Sequence, residues 1–306
     1  MPCAQPLSLA ILTIEPDCAS TRRLVAAAKA RGHHVDLINT MDCSLHVEGS
    51  TLSIEHGGAR LPRYDAIIPR IGAAMTSHGC AVVRQLEAIG VPCLASADAI
   101  LSSRDKRQAH QLFCAAGIPT PKTSFFCVPR DIQDVLTSSG PLPLVIKPLQ
   151  SSQGYGVEKV ETTEDLHRIV DLYIRQQKDF LVQTFIDEAG GRDLRCVVLG
   201  DRVVAAITRT AAPGDFRSNL HPGGHAQAAK VSDRERALAQ RAASAVGLSF
   251  AGVDILRGRD GPVVLEVNSS PGLEGIERAT AFDLADQVIR HVESKIAPRA
   301  CAGTAA

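Results

Sequence analysis

No run of apolar residues in this sequence reaches the ~18 that a helix needs to cross a bilayer, so no membrane span is expected. The apolar segment Leu7 to Ile14 has no Lys or Arg before it, and Arg22 and Arg23 follow it. A secretory signal has its positive charge before the apolar run. We therefore expect a buried first strand here, a cytoplasmic protein and no membrane partner.

An excess of charge of either sign is also missing. Lys+Arg and Asp+Glu both number 33, so the formal net charge is zero. Proteins that bind nucleic acid usually carry a basic surface, so direct nucleic-acid binding is not expected, although a local basic patch stays open.

The cysteines show no metal or disulfide pattern. There are nine of them and none lies in a C-x-x-C pair. A disulfide framework and a structural zinc site are therefore poorly supported, and buried, inert thiols are expected. His221 and His225 have a spacing found in zinc sites, but no cysteine pair accompanies them, so zinc is not favoured.

Three familiar catalytic motifs are absent. The sequence has no Walker A loop, and its G-Y-G segment precedes a strand pattern, whereas a dinucleotide-binding fingerprint precedes a helix. No G-x-S-x-G elbow of a serine hydrolase occurs.

What is present is the composition of an ordinary globular protein. The 306 residues are 45% hydrophobic and 22% charged, enough for two or three packed units. Alternating strands and helices predict an N-terminal α/β unit with a parallel sheet, and Ser20 is expected to cap its first helix. A helix is expected over residues 104–116 and a last helix over 279–295. The fold class is α/β (α+β), with units at 1–100, 101–185 and 186–297 and a flexible tail at 298–306.

The strongest chemical signal is a hairpin with two carboxylates. Closing its turn on Asp260 places Asp254 opposite Glu266, with Asn268 on the same face. Opposed like charges in an apolar sheet are destabilising, and a cation would remove that penalty. An all-oxygen ligand set suits Mg²⁺ or Mn²⁺. The alternative is that the carboxylates face solvent or pair with Arg or Lys.

A lysine followed by a glycine-containing loop is the second signal. Lys147 lies in the apolar strand PLVIKP, and the loop that includes Gln153 and Gly154 follows. Lysine is rarely buried without a partner, and such a loop can bring backbone N–H groups close to phosphate oxygens. The alternative is a plain hairpin connection.

Two further cations have functional and structural interpretations. Lys106 lies at a helix start, where it could be only a solvated side chain. Arg217 lies in the long polar loop over 209–230, where it could bind a carboxylate or phosphate, or be a mobile surface arginine.

With these features in place, the sequence resembles the RimK-type ATP-grasp ligases from about Leu7 to Lys295. These are α-L-glutamate ligases, some of which act on a ribosomal protein's C-terminal glutamate. The segments that carry the resemblance are YDAIIPRIG (64–72), GDFRSNLHPGG (214–224), AGVDILR (251–257) and EVNSSPGLEGIE (266–277).

The resemblance implies an ATP-grasp fold, in which an N-terminal parallel α/β domain precedes two lobes that clasp ATP. It also implies roles for residues that match the family's motifs. Two divalent ions, Mg²⁺ or Mn²⁺, are expected on one set of ligands, with Glu266 bridging them. That set is Asp254, Glu266 and Asn268. The expected nucleotide contacts are Lys106, Lys147, Gln153, Gly154, Gln183, Thr184, Phe185, Asp193, Arg217, Ser218 and Asn219, of which Lys147 and Arg217 would act in catalysis.

The sequence departs from the family at two places. Thr184 stands where RimK-like proteins usually carry Glu, which puts the nucleotide preference in question. The loop reads QSSQGYG where EGTQGIG is more usual.

The implied activity is ATP-dependent addition of L-glutamate to the C-terminal glutamate of a ribosomal protein, through an acyl-phosphate, by a homo-oligomer (dimer or tetramer). Two alternatives stay open. The ligase could act on a small molecule or peptide, or the chain could be a nucleotide-binding regulator without turnover.

Overall fold

The computed structural model describes residues 5–127, 132–149, 156–218 and 224–300, with side chains described up to residue 296. Residues 5–96 contain six strands and two helices. These are β1 (Ser8–Leu12), α1 (Ala19–Ala30), β2 (His34–Ile38), β3 (Cys43–Glu48), β4 (Thr51–His56), β5 (Ala59–Arg60), β6 (Ala66–Pro69) and α2 (Thr76–Ala88).

The first sheet is parallel, as predicted, with the strand order β2-β1-β6. The antiparallel sheet β3-β4-β5 was not predicted, because its short polar strands lack a strong apolar alternation. Ser20 does not cap α1, which begins at Ala19 after Cys18. Its Oγ accepts a hydrogen bond from the distant Leu273 N–H at 3.0 Å.

The second group of elements is built around an antiparallel sheet with the order β7-β10-β8-β9. Its apolar core lies between this sheet and two helices, α5 and α6, whose bounds follow. The elements are α3 (Ala97–Arg104), α4 (Lys106–Ala115), β7 (Thr123–Phe126), α5 (Ile132–Ser139), β8 (Leu144–Pro148), β9 (Glu158–Val160), α6 (Thr163–Arg175) and β10 (Phe180–Thr184).

The helix predicted over residues 104–116 is divided at Asp105. This residue has an extended backbone, and its carboxylate accepts the Arg107 N–H at 2.8 Å and the Gln108 N–H at 3.2 Å. Asp and Ser are strong N-cap residues because they satisfy N–H groups that have no partner within the helix. Lys106 thereby becomes the first residue of α4.

The third group forms a five-stranded antiparallel sheet with the order β13-β12-β11-β14-β15. The predicted hairpin that carries Asp254 and Glu266 is present, and Ser232 and Glu235 form a capping box at the start of α7. The elements are β11 (Arg192–Leu199), β12 (Arg202–Thr210), β13 (His225–Ala228), α7 (Asp233–Ala245), β14 (Phe250–Gly258), β15 (Gly261–Asn268), α8 (Glu274–Thr280) and α9 (Leu284–Ala300).

The single last helix predicted over 279–295 is wrong. Ala281 adopts a left-handed backbone with φ of 53°, which ends α8 and separates it from α9. Helix α9 continues to Ala300, so it includes the first three residues of the predicted tail, and 301–306 lie outside the described residues.

The C-terminal helix packs on the N-terminal part of the chain. Arg31 bonds Glu293 at 2.6 Å and Asp286 at 3.1 Å, and apolar residues of α1, β1 and α9 share one core. No helix in the described part of the chain is long and apolar enough to cross a membrane.

The seven cysteines within the described residues are all unpaired. Cys114 and Cys127 are exposed, so the expectation that the thiols are buried is wrong for these two.

Candidate active site

The carboxylate hairpin consists of β14 and β15, and the predicted pairing of Asp254 with Glu266 is confirmed. The route to this pairing differs from the predicted one. Near the turn, Gly258 pairs with Gly261 and Ile255 with Val264, which would leave Asp254 opposite Leu265. A bulge after Asp254 adds one residue to β15 and shifts the register, so that Glu266 lies opposite Asp254 and Asn268 opposite Gly252.

Asp254 is buried and held by two arginines. Arg195 donates to both of its oxygens at 2.7 Å, and Arg209 Nη2 donates to Oδ2 at 2.8 Å. Burial acts to raise the pKa of Asp254, but the two guanidinium groups outweigh it and lower the pKa to about 2. The alternative in which a hairpin carboxylate pairs with arginine is therefore what the structure shows for Asp254.

Asp193 belongs to the same buried network. Arg209 Nε donates to its Oδ1 at 2.8 Å, and Arg209 Nη2 donates to Oδ2. Both carboxylate oxygens thus bind Arg209, and Asp193 lies inside the sheet with 4% exposure. The structure therefore gives Asp193 a partner other than the nucleotide that the resemblance implied.

Sequence reasoning missed Arg195 and Arg209. A signal was available, because both are charged residues within the strand patterns of β11 and β12, where a buried charge requires a partner. Their register relative to Asp254 depends on the pairing of β11 with β14, which the sequence does not specify.

The other two candidate oxygen ligands, Glu266 and Asn268, lie at the end of β15. Glu266 and Asn268 are half-buried, and Asn268 Nδ2 donates to Glu266 Oε1 at 3.2 Å. The described residues include no group of three or more His, Cys, Asp and Glu side chains arranged for a metal ion. The donor set is nevertheless all oxygen, as Mg²⁺ prefers, and Asp254 Oδ1 accepts one hydrogen bond, which leaves it a further lone pair. These residues fit a hard divalent cation.

Two half-buried lysines face this carboxylate group from the second sheet and from α4. Lys147 Nζ donates to Gln183 Oε1 at 2.8 Å, and Lys106 Nζ donates to the Leu149 carbonyl at 3.2 Å. Burial lowers the pKa of Lys147 to about 8; attraction to Glu266 opposes this shift and repulsion from Lys106 adds to it. Burial also lowers the pKa of Lys106. Because Lys106 disfavours the charge of Lys147, an anion near both lysines would be stabilised.

The predicted nucleotide contacts Gln183, Thr184 and Phe185 lie at the end of β10 and directly after it. Gln183 Nε2 donates to Thr123 Oγ1 at 2.8 Å, so both ends of its amide have protein partners. The N–H groups of Thr184 and Phe185 donate to the carbonyls of Lys122 and Pro143. The structure thus leaves side chains and carbonyl groups of this segment, rather than these two N–H groups, for a nucleotide.

The loop after β12 contacts Phe185 through an aromatic side chain. The rings of Phe185 and Phe216 lie edge to face at 5.9 Å, and Lys159 Nζ lies 4.4 Å from the Phe185 ring centroid. A cleft of about 650 Å³ separates residues 157–159 from residues 212–217. Phe185 therefore lies next to the loop that carries Arg217.

Arg217 lines this cleft but does not reach the hairpin. Its guanidinium is exposed and binds Asp215, with Nη2 to Oδ2 at 2.9 Å. Ser218 beside it is half-buried. The predicted contacts Gln153, Gly154 and Asn219 lie outside the described residues, as does His221 of the disfavoured zinc pair.

Sequence comparisons identify relatives of this arrangement. The model of the RimK-like ATP-grasp domain matches residues 103–292, and that of the RimK PreATP-grasp domain matches residues 7–100. A "Probable alpha-L-glutamate ligase" of Shewanella loihica is 48% identical over 294 residues, 96% of this chain and 98% of that protein. A protein of the same name from Vibrio atlanticus is 47% identical over the same shares of both chains.

Solved structures share the fold. The ATP-grasp ligase PsnB in complex with its minimal precursor superposes with a TM-score of 0.73 at 21% identity, over 95% of this chain and 99% of that chain. A RimK domain ATP-grasp protein from Sphaerobacter thermophilus gives a TM-score of 0.70 at 23% identity, over 93% and 99%. The chain therefore belongs to the RimK-like ATP-grasp family, and it is a ligase that uses ATP to form carbon–nitrogen bonds.

Proposed function

We propose that this protein is an Mg²⁺-dependent α-L-glutamate ligase that adds L-glutamate to the C-terminal glutamate of a ribosomal protein through an acyl-phosphate. The observation that carries the proposal is the placement of Asp254 and Glu266 opposite Lys106 and Lys147. Support for glutamate comes from the names of the relatives at 47–48% identity, and PsnB, which has this fold, has been solved in complex with a precursor peptide.

Charge neutralisation is the first requirement of the proposed reaction. An acceptor carboxylate that attacks the γ-phosphate of ATP brings several negative groups together. Lys106 and Lys147 lie where they would offset that charge, and Gln183 orients the Lys147 ammonium by its 2.8 Å hydrogen bond. The attack forms the acyl–phosphate bond and releases ADP.

Amide formation is the second step. The amine of the incoming glutamate attacks the acyl carbon, phosphate leaves, and the amine loses a proton to solvent or to a base. Residues 157–159 and 212–217 border the cleft and would limit the access of water, which would otherwise hydrolyse the acyl-phosphate.

Asp254, Glu266 and Asn268 are the residues that would hold one or two divalent ions. When bound, Mg²⁺ would supply charge neutralisation of the phosphates. Arg195 and Arg209 keep Asp254 ionised and fix its orientation, so that a ligand oxygen is available at neutral pH.

The test is phosphate release with ATP, Mg²⁺ and L-glutamate, with and without a ribosomal-protein C-terminal peptide that ends in glutamate. The peptide mass, read by mass spectrometry, is expected to rise in steps of one glutamate residue. Turnover only with small-molecule acceptors would contradict the protein acceptor and leave the ligase intact. Sedimentation of the pure protein tests the expected homo-oligomer.

A further inference from the structure

The carboxyl end of the parallel sheet is a part of the molecule that the proposed chemistry does not use. Strand β1 lies between β2 and β6. The connection that follows β1 leads to β2 on one side of it, and β6 pairs with β1 on the other side. Ligands of open α/β sheets bind at such a switch point, outside the carboxyl ends of the strands. Residue Arg70 comes directly after β6, at this edge.

Two half-buried arginines meet at this edge. Arg70 Nη1 donates to the Pro271 carbonyl at 2.9 Å, and Arg104 Nη2 donates to the carbonyl of Ile71. Arg104 Nε is buried without a hydrogen-bond partner in the described part of the chain. Within the same residues, neither guanidinium has a carboxylate within 4.0 Å, although 16 other pairs of Arg or Lys with Asp or Glu occur there.

Such a pair is unfavourable without an anion. Burial lowers the pKa of Arg70 to about 10, and the nearby Arg104 adds to this shift. The pKa of Arg104 is lowered by its own burial. Buried cations are normally paired, because removal of a charge from water without a partner is unfavourable, and a half-buried guanidinium bears part of that penalty. Exposed Glu15 acts on Arg70 only from a distance.

The arginine pair is connected to the carboxylate hairpin. Pro271, which accepts the Arg70 hydrogen bond, packs on Gly252: a Cβ at Gly252 would lie 3.0 Å from Pro271 Cβ and 3.7 Å from Arg195 Nε. Gly252 pairs with Asn268, and Arg195 binds Asp254. Ser269, between Asn268 and Pro271, is buried and its hydroxyl has no described partner.

We infer that Arg70 and Arg104 form a carboxylate-binding subsite for a glutamate carboxylate that the reaction does not consume. The inference rests on the proposed function and specifies its substrate recognition. Guanidinium groups bind carboxylates through paired N–H donors, and each of these arginines donates one described hydrogen bond. The carboxylate belongs either to the incoming glutamate or to the side chain of the acceptor's terminal glutamate.

Steady-state kinetics of Arg70→Gln and Arg104→Gln separate these sources. The KM for L-glutamate is expected to rise about tenfold or more if the incoming amino acid binds there, the ratio that corresponds to loss of a charged hydrogen bond. The KM for the peptide rises instead if the acceptor binds there. The KM for ATP is expected to stay within about twofold, and exposed Arg63→Gln serves as the matched control.

Unchanged KM values for both glutamate substrates in folded variants would overturn the inference. If the wild-type protein does not ligate glutamate at all, the proposed function fails, and the subsite is then judged by calorimetric titration with glutarate. Binding of glutarate that is lost in Arg70→Gln, with an unchanged melting temperature, supports a carboxylate subsite. No binding, or equal binding by both proteins, overturns it.

Discussion

Arg209 offers the sharpest test of the buried charge network. It bridges Asp193 and Asp254. The side chains of Arg209, Asp193 and Asp254 are 4%, 2% and 1% exposed, respectively. Replacement by Met keeps much of the apolar stem and removes the guanidinium. Asp254 keeps Arg195, but Asp193 loses the only cation within 4.0 Å in the described structure.

The magnitude follows from the charge left on Asp193. Removal of one partner of a buried ion pair costs about 3–5 kcal/mol. Asp254 keeps Arg195 in the variant, so the loss of stability is expected to come from the unpaired Asp193.

Urea unfolding followed by ellipticity measures this loss of stability. Arg84→Met is the matched control, since Arg84 pairs with Asp98 at the surface, with side-chain exposures of 54% and 86%, and should lose less than about 1 kcal/mol. Asp193→Asn combined with Arg209→Met should recover part of the loss. A loss below about 1 kcal/mol for Arg209→Met, or no recovery in the double variant, would refute the reasoning.

Three further outcomes are expected. Glu266→Gln should lower kcat at least about 100-fold in a phosphate-release assay while the melting temperature stays the same; normal turnover would contradict its role as a metal ligand. Thr184→Glu should change the KM for ATP more than the KM for the acceptor. An unchanged KM for ATP would mean that residue 184 does not contact the nucleotide. Because the pKa of Lys147 is lowered to about 8, its charge is lost as the pH rises through 8, so ATP should bind more weakly at pH 9 than at pH 7. Lys147→Met should abolish that dependence in an ATP titration; persistence would assign it to another group.

Much of the fold was accessible from local patterns. The parallel arrangement of β1, β2 and β6 follows from strands that alternate with helices, and the capping box of Ser232 and Glu235 marks the start of α7. These signals act over a few residues, so they survive without tertiary information. The division of α3 from α4 at Asp105 has the same local basis, an N-cap carboxylate, which was overlooked because the flanking residues continue a helical pattern.

The sequence by itself determined that Asp254, Glu266 and Asn268 share one hairpin, because two apolar strands around a short turn leave few registers. Only the tertiary structure decided what holds Asp254. The bulge in β15 shifts the register by one residue, so that Glu266 lies opposite Asp254. The strands β11 and β12 place Arg195 and Arg209 next to the buried carboxylate of Asp254. The same holds for Arg70 and Arg104, which come together only because β6 and α3 end beside the loop that follows Asn268. Buried charges require partners, but sequence spacing does not identify partners that lie tens of residues away.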